Sequence, residues 1–326
     1  MKSINHAVFP RRTSASPRFP LLGSILVAAV SPAFTQGTGE YKKFHRNPDI
    51  ANASYGPDVR NILDLWKAPS TKATPLVIYI HGGGFTSGAK DRLSPILLKY
   101  CLDAGISVGA INYRLTKTAP YPAPMQDGAR AVQFYRTKAK EWNLNPRAIA
   151  ATGGSAGGTL SLWLAFHEDL ADNSSPDPVL RQSTRLAGAA IQTAPTTMDP
   201  RAMEKLAGKL ASNHPIMEPF FGAKMSEWGS PTVIKLFEDS SPYTHVTSDD
   251  PPIFLYYSGP WKLPDNPVAG QAIHSTAFGV YLWHKAEVVG IKVTFRQADD
   301  YPDKATWEQA LYREFGLFFQ NCFRGK

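Results

Sequence analysis

Ser155 is the residue most clearly suited to chemistry, since it lies in the run GGSAG at residues 153–157 with only small residues beside it. Residues 147–152 are predicted to form a short buried strand, and the residues from 156 onward a helix. So tight a strand-to-helix turn holds the hydroxyl away from the sheet and directs a helix N-terminus towards it. The pattern predicts a nucleophilic serine that reacts with an acyl carbon.

A second glycine run has the residues for stabilising a negative charge. Residues 75–80 form a near-continuous apolar strand, as expected in a parallel sheet covered on both faces, and HGGGF follows at residues 81–85. Glycines at this position let several backbone N–H groups hold an oxyanion, and each such donor contributes about 2.7–4 kcal/mol in the transition state. We predict an oxyanion hole formed by the N–H groups of Gly83, Gly84 and Ala156.

Together with INYRL at 111–115, YPAPMQD at 121–127 and SPY at 241–243, these motifs resemble the α/β-hydrolases of the esterase/lipase kind. The chain is most similar to the hormone-sensitive-lipase-like and the feruloyl- or acetyl-esterase-like groups, from about residue 58 onward. The resemblance implies a doubly wound, mostly parallel sheet with an inserted cap. It also implies a serine carboxylic-ester hydrolase without a cofactor, acting on short-acyl or polysaccharide-linked esters.

The residues that should assist the serine are missing from their expected places. Such a serine needs a base, usually a histidine, and an acid that orients the histidine. Where the family has its acid, this sequence has Lys262, with Asp265 a few residues later. Where the family has its histidine, after the last predicted strand, the sequence has Asp299 and Asp300, and no histidine follows His284.

Three interpretations are open. In the first, which we take as the prediction, His274 is the general base and Asp299 or Asp300 orients it, giving a rearranged chain order. In the second, Lys262 pairs with one of these carboxylates and Ser155 has no base. The protein would then be an inactive pseudo-esterase that binds a ligand, with residual catalysis of roughly 10³–10⁴ over water. In the third, Lys262 is itself the base, which requires a buried amine.

The first 35 residues are predicted to be a secretory signal peptide and not part of the fold. They contain four Lys and Arg and no Asp or Glu, then an apolar run at 20–30 and small residues at 31–35 that suit cleavage. The apolar run is too short to span a membrane, so stable insertion is not expected, although retention as an anchor is the alternative. We expect a secreted or periplasmic protein.

The charge of the chain excludes a nucleic-acid partner. The formal net charge is +8, from 35 Lys and Arg against 27 Asp and Glu, and the signal peptide supplies four of those basic residues. The remaining excess is about +4 and is spread along the sequence, which is not the clustered basic surface that nucleic acids require. An ester substrate is the expected partner.

Residues 36–326 are predicted to form one α/β domain, since a chain of this length can bury roughly 75% of its unfolded surface in one core. Strands and helices alternate, as in a parallel sheet covered by helices. Residues 198–240, rich in Met, Phe and Trp, suit a cap over a cleft, with core packing as the alternative. The predicted strands span residues 61–66, 75–80, 106–113, 147–152, 186–193, 253–259 and 292–298, and the clearest helices span 94–104 and 122–142.

No metal site is expected. The sequence has no His-Glu-x-x-His, and its two cysteines lack zinc spacing. The acidic residues at 249–250 and 299–303 are expected to be solvated loops and not calcium sites. Cys101 and Cys322 fall in predicted helices and are expected to be buried thiols, with a disulfide as the alternative.

The other histidines are weaker candidates for the base. His81 is expected to support the oxyanion loop, and His167 lies on the helix behind the nucleophile. His214 and His245 are predicted to lie in surface loops.

Overall fold

A computed structural model describes residues 41–326 of the protein, and the predicted signal peptide lies outside these residues. Its centre is one eight-stranded sheet. The strands are β1 (Ile50–Ser54), β2 (Ile62–Trp66), β3 (Thr74–Ile80), β4 (Ser107–Ile111), β5 (Leu144–Gly154), β6 (Ala189–Gln192), β7 (Ile253–Tyr257) and β8 (Val293–Gln297).

The sheet is mostly parallel, with the strand order β1-β2-β4-β3-β5-β6-β7-β8. Near one edge, β2 runs antiparallel to both of its neighbours, β1 and β4. All strands from β4 to β8 in this order are parallel. Parallel strands require crossover connections, and helices provide them here. The predicted doubly wound α/β fold is therefore confirmed.

Twelve α-helices are assigned among residues 41–326. They are α1 (Pro95–Asp103), α2 (Ala123–Thr137), α3 (Ala139–Trp142), α4 (Ala156–Phe166), α5 (Pro200–Ala207), α6 (Lys209–Ser212), α7 (Met217–Phe221), α8 (Pro231–Asp239), α9 (Pro242–His245), α10 (Ala269–Ile273), α11 (Thr276–Val289) and α12 (Trp307–Phe323). Within the part of the chain described, no helix is both long and apolar enough to cross a membrane.

The central strands form because their residues are apolar or small on both faces. Every residue of β4 is buried, and so are six consecutive residues of β5, from Ala148 to Gly153. Gly109 in β4 is needed for packing, since a Cβ there would lie 2.3 Å from the hydroxyl of Tyr135. That hydroxyl donates a hydrogen bond to Asp64 O at 2.8 Å, which ties α2 to the sheet.

Two observed elements differ from the prediction. β1 is not among the predicted strands; its pairing with β2 has a register shift between Ile50 and Ala53. The long helix predicted over 122–142 is divided at Lys138 into α2 and α3, and it ends at Asn143 in a left-handed conformation.

The segment between β6 and β7 contains five helices, α5 to α9, and includes the range 198–240 that was predicted to be the cap. Its aromatic residues pack on one another. Phe220 contacts Phe85 of the glycine loop, with ring centroids 4.9 Å apart, and Phe221 contacts Phe237 at 4.7 Å. The segment thus packs directly against the loop that follows β3.

Cys101 in α1 and Cys322 in α12 are both buried free thiols, as expected. Burial raises the pKa of each thiol to about 12. The alternative, a disulfide between them, is not formed.

Candidate active site

The turn from β5 to α4 has the geometry of a nucleophile elbow. Ser155 has φ 53° and ψ −125°, a conformation that costs a side-chain-bearing residue roughly 1–3 kcal/mol. The flanking glycines make the turn sterically feasible. A Cβ on Gly153 would lie 2.4 Å from Ile80 O, and one on Gly157 would lie 2.0 Å from the same oxygen. The spacing of glycine around Ser155 is therefore a consequence of close contact with β3.

Ser155 is in direct hydrogen-bonding contact with His274. Its Oγ lies 2.8 Å from His274 Nε2. His274 follows the short helix α10, next to the start of α11, on the chain that leaves β7. Of the basic residues proposed from the sequence, the structure brings only this one to the serine.

The tautomer of His274 follows from its second hydrogen bond. Nδ1 lies 2.8 Å from Gly270 O, and because a carbonyl oxygen only accepts, Nδ1 must carry the proton. Nε2 then has the lone pair and accepts from the Ser155 hydroxyl. Burial lowers the pKa of His274, and the hydrogen bond to Gly270 opposes this shift only in part. The imidazole is thus neutral near pH 7 and has a basic nitrogen directed at the serine.

The predicted orienting contact from Asp299 or Asp300 was wrong. Both residues are exposed, and Gly270 O occupies the position at Nδ1 that a carboxylate would need. Asp300 Oδ2 instead accepts a hydrogen bond from Gln297 N at 2.8 Å and caps a one-turn 3₁₀-helix, Ala298–Asp300. A local backbone bond therefore holds this carboxylate at the end of β8.

The interpretations built on Lys262 are not supported by its surroundings. Lys262 and Asp265 are both exposed, and Lys262 makes no ion pair within residues 41–326. The pairing of Lys262 with Asp299 or Asp300, on which the second interpretation rests, is therefore absent from the described chain. An exposed amine also lacks the burial that a lysine base requires.

The glycine loop after β3 lies beside the nucleophile. A Cβ on Gly82 would come within 3.5 Å of Ser155 Cβ. Gly83 and Gly84 have φ of 111° and 59°, which only glycine adopts readily, and a Cβ on Gly83 would clash with Ser87 O at 2.3 Å. The loop is tied internally by bonds from Thr86 N and Ser87 N to Gly83 O.

The predicted oxyanion donors have no competing backbone acceptor. In residues 41–326, the N–H groups of Gly83 and Gly84 donate to no other main-chain group. Ala156 is the first residue of α4, where a helical N–H has no acceptor in a preceding turn. All three residues line one cavity together with Ser155 and His274.

His81 supports this loop from behind, as expected. It is fully buried, its Nδ1 donates to Gly82 O at 2.8 Å, and its ring stacks on Tyr113 with centroids 4.2 Å apart. Tyr113 donates in turn to His81 O at 2.8 Å. Burial lowers the pKa of His81 to about 4, so it supports the loop as a neutral ring.

The cavity above Ser155 has a volume of about 360 Å³ and is mainly apolar. Phe85 and Ile273 form part of its wall, and the segment between β6 and β7 contributes Met198, His214 and Ile216. His214 lies in a loop between α6 and α7, as predicted, but it is half-buried at the cavity wall and not on the surface. Its burial and the charge of nearby His274 lower its pKa, and its Nδ1 accepts from Ile216 N at 3.3 Å.

Comparison with known proteins agrees with this geometry. The BD-FAE family model matches residues 63–259. The chain is 29% identical over 220 residues to the probable carboxylic ester hydrolase LipM of Mycobacterium tuberculosis, covering 67% of this chain and 48% of LipM. The chain spans about half the length of this relative and of the esterase LipQ of the same organism.

Two solved structures show the same fold. One is the acetyl ester-xyloside bifunctional hydrolase from Caldicellulosiruptor lactoaceticus, with a TM-score of 0.62 and 22% identity over 80% of this chain and 87% of that one. The other is a truncated carbohydrate esterase from gut microbiota, with a TM-score of 0.66 and 21% identity over 84% and 96% of the two chains.

The sheet, the elbow and the glycine loop place the chain in the α/β-hydrolase fold class. Within that class, the chain belongs to the BD-FAE family.

Proposed function

We propose that the protein hydrolyses carboxylic esters with a Ser155–His274 dyad oriented by a backbone carbonyl. The observation that carries this proposal is the 2.8 Å contact between Ser155 Oγ and His274 Nε2. Membership of the BD-FAE family and similarity to carboxylic ester hydrolases support it.

In the acylation step, Ser155 Oγ attacks the ester carbonyl carbon and passes its proton to His274 Nε2. The oxyanion of the tetrahedral intermediate accepts hydrogen bonds from the N–H groups of Gly83, Gly84 and Ala156. The intermediate collapses as the alcohol leaves and takes the proton from His274. Water then attacks the acyl-enzyme with His274 as the base, which releases the acid and restores Ser155.

The absence of a carboxylate at His274 has a kinetic consequence. Gly270 O fixes the correct tautomer, but it has only a partial negative charge with which to stabilise the imidazolium that forms in each step. We therefore expect a slower enzyme than one with a full triad. The loss should stay below the roughly 10⁴-fold seen when the wrong tautomer is present.

We propose that the substrates are esters with a short acyl group. The cavity of about 360 Å³ is near the lower end of the size range of ligand pockets, and Met198, Ile216 and Ile273 give it an apolar wall that a short acyl chain can occupy. The similar structures include an acetyl ester-xyloside hydrolase and a carbohydrate esterase, which support acetylated polysaccharide as a substrate class. The leader predicted over residues 1–35 supports action outside the cytoplasm, where such polymers occur.

The test is the initial rate of aryl acetate hydrolysis by wild type, Ser155→Ala and His274→Ala. Both variants should lose at least 10³-fold in kcat/KM, because members of one catalytic unit fail together. An active-site-directed fluorophosphonate should add covalently to Ser155, as read by mass spectrometry of the labelled peptide.

Matched controls separate the dyad from its alternatives. His284→Ala removes an exposed histidine, and Asp299→Asn and Asp300→Asn remove the carboxylates that do not reach His274, so all three should keep the wild-type rate within a few-fold. If wild type does not exceed Ser155→Ala and Ser155 is not labelled, the protein is an inactive binding protein. A large loss in either Asp variant would contradict the carbonyl-oriented dyad.

A further inference from the structure

Three side chains with metal-ligating atoms meet on the face of the molecule behind the nucleophile helix. His167 follows the end of α4, Asp239 ends α8 and His245 ends α9. One ligand atom from each lies within 4.8 Å of the other two. This cluster is separate from the cavity that contains Ser155.

Each of the three ligands is positioned by a second hydrogen bond. His167 Nδ1 donates to Glu168 O at 3.0 Å, and His245 Nε2 donates to Asp239 O at 2.7 Å. The Tyr121 hydroxyl donates to Asp239 Oδ2. In the neutral form of each imidazole the remaining nitrogen, Nε2 of His167 and Nδ1 of His245, has a lone pair, and Asp239 has a second oxygen that is not used by Tyr121. Such outer partners orient the ligands of metal sites and fix their tautomers.

His167 and Asp239 face each other with atoms that could bind one ion. His167 Nε2 lies 3.7 Å from Asp239 Oδ1. With Nδ1 as the donor to Glu168, Nε2 is the nitrogen that faces the carboxylate. Either a proton on Nε2 or a metal ion can lie between the two atoms.

One of the distances is close to that in a bound metal site. Zinc lies about 2.0–2.2 Å from imidazole nitrogens and carboxylate oxygens, so two ligands at a tetrahedral angle lie about 3.4 Å apart. The His167–Asp239 separation of 3.7 Å is near this value. The 4.8 Å bound on the set is larger, so side-chain rotation must bring the ligands closer when the ion binds.

The surroundings are negatively charged and open to solvent. The cluster lines a cleft of about 560 Å³ whose wall also includes the carboxylates of Glu168, Asp169 and Asp249. One guanidinium, from Arg185, lies in the same wall, and it is paired with Asp249. A divalent cation would therefore enter from solvent into a region with excess negative charge.

We propose that His167, Asp239 and His245 bind a divalent transition-metal ion with the ligand preference of Zn²⁺. The ion takes two imidazole nitrogens and one carboxylate oxygen, and water from the cleft completes the coordination. It joins the end of the nucleophile helix α4 to α8 and α9, the last helices of the segment between β6 and β7. The site therefore stabilises that segment and does not take part in the ester chemistry.

The test uses the purified, untagged protein after treatment with a chelator. Titration with Zn²⁺, followed by calorimetry, should show one site of micromolar or tighter affinity, and Co²⁺ should give visible d–d absorption from the bound ion. The melting temperature should rise on addition of Zn²⁺, since a ligand that binds only the folded state stabilises it. His167→Ala and His245→Ala should each weaken Zn²⁺ binding at least 100-fold.

Asp239→Asn is the second variant, because it keeps the shape of the side chain and an oxygen for Tyr121 while removing the charge. It should bind Zn²⁺ at least 10-fold more weakly yet fold as wild type does by circular dichroism. His284→Ala, on the exposed face of α11, should bind as wild type. Absence of Zn²⁺ binding by wild type at 100 µM, or unchanged binding in the folded Asp239→Asn variant, would overturn the proposal.

Discussion

His274 is oriented by a main-chain oxygen, and this accounts for both its position and its basicity. Gly270 O holds the proton on Nδ1, and the 2.8 Å contact at Nε2 directs the basic nitrogen to Ser155. A carboxylate in the place of Gly270 O would raise the basicity of the imidazole by its charge. The neutral carbonyl raises the basicity of the imidazole much less, so burial has the larger effect on the pKa of His274.

This difference predicts the pH dependence of the reaction. Burial lowers the pKa of His274 below the ordinary value of 6.5, so its basic form extends to more acidic pH. A general base acts when neutral, and kcat/KM for an aryl acetate should therefore rise through an apparent pKa below 6.5 and be constant above it. In the His214→Gln variant, which lacks the second histidine of the cavity, kcat/KM should still rise through an apparent pKa below 6.5. An acidic limb at pH 7 or above would contradict the assignment.

The elbow between β5 and α4 is determined by how closely these two elements approach β3. Ile80 ends β3, and its carbonyl oxygen occupies the space where side chains at 153 and 157 would lie. The same parallel pairing of β3 with β5 brings the glycine loop to the nucleophile, because Ile80 is opposite Gly153. Register between two strands thus positions both parts of the site.

Gly157→Ala should destabilise the fold. Its Cβ would lie 2.0 Å from Ile80 O, so the backbone must move, and overpacking of this kind costs about 1–3 kcal/mol in the free energy of unfolding. Gly154→Ala is the matched control, since its Cβ would meet Gln192 O at an ordinary 3.5 Å. Urea unfolding of both variants tests this, and equal midpoints for the two would show that the elbow tolerates the added methyl group.

The segment between β6 and β7 forms a part of the cavity wall that side-chain substitution can alter. Ile216 lies against the glycine loop, where a Cβ on Gly84 would come within 2.7 Å of its Cγ2. Unlike the elbow, this contact is made by a side chain, so the cavity can be enlarged without altering the backbone of the site.

Ile216→Ala should shift the preference towards longer acyl chains. Each methylene in an apolar pocket contributes about 1–3 kcal/mol, so the ratio of kcat/KM for aryl butyrate over acetate should rise about 10-fold. Leu210→Ala, an exposed position in the same segment, should leave the ratio unchanged. A fall in the ratio for Ile216→Ala would show that the acyl group binds elsewhere.

The core of the molecule encloses both thiols. Cys101 in α1 and Cys322 in α12 pack on the sheet, and a Cβ on Gly188 would lie 2.7 Å from Cys322 Sγ. Burial raises the pKa of both thiols to about 12, so almost no thiolate, the reactive form, is present at pH 8.

The native protein should therefore react very slowly with the thiol reagent DTNB at pH 8. In 8 M urea the two thiols should react rapidly and give two equivalents of product. No thiol released in urea would mean that the cysteines form a disulfide, contrary to the structure, and rapid reaction of the native protein would mean that the helices α1 and α12 open readily.

The local sequence was sufficient to predict the fold and two parts of the site, the turn around Ser155 and the glycine loop. The elbow around Ser155 and the glycine loop at 82–84 are each formed by one continuous stretch of sequence. Each needs glycine where a Cβ would collide with neighbouring atoms, so residue types alone indicate them. The alternation of strands and helices was read from hydrophobic periodicity, which follows from burial on the two faces of a sheet.

The rest of the site depends on tertiary structure. Gly270 acts through a carbonyl oxygen that every residue has, so no residue type marks its role, and the pairing of His274 with Ser155 spans 119 residues. The cluster of His167, Asp239 and His245 likewise comes from the ends of three helices. Contacts of this kind are set by how helices pack on a sheet; the sequence indicated His274 as a candidate base, but neither Gly270 as its partner nor this cluster.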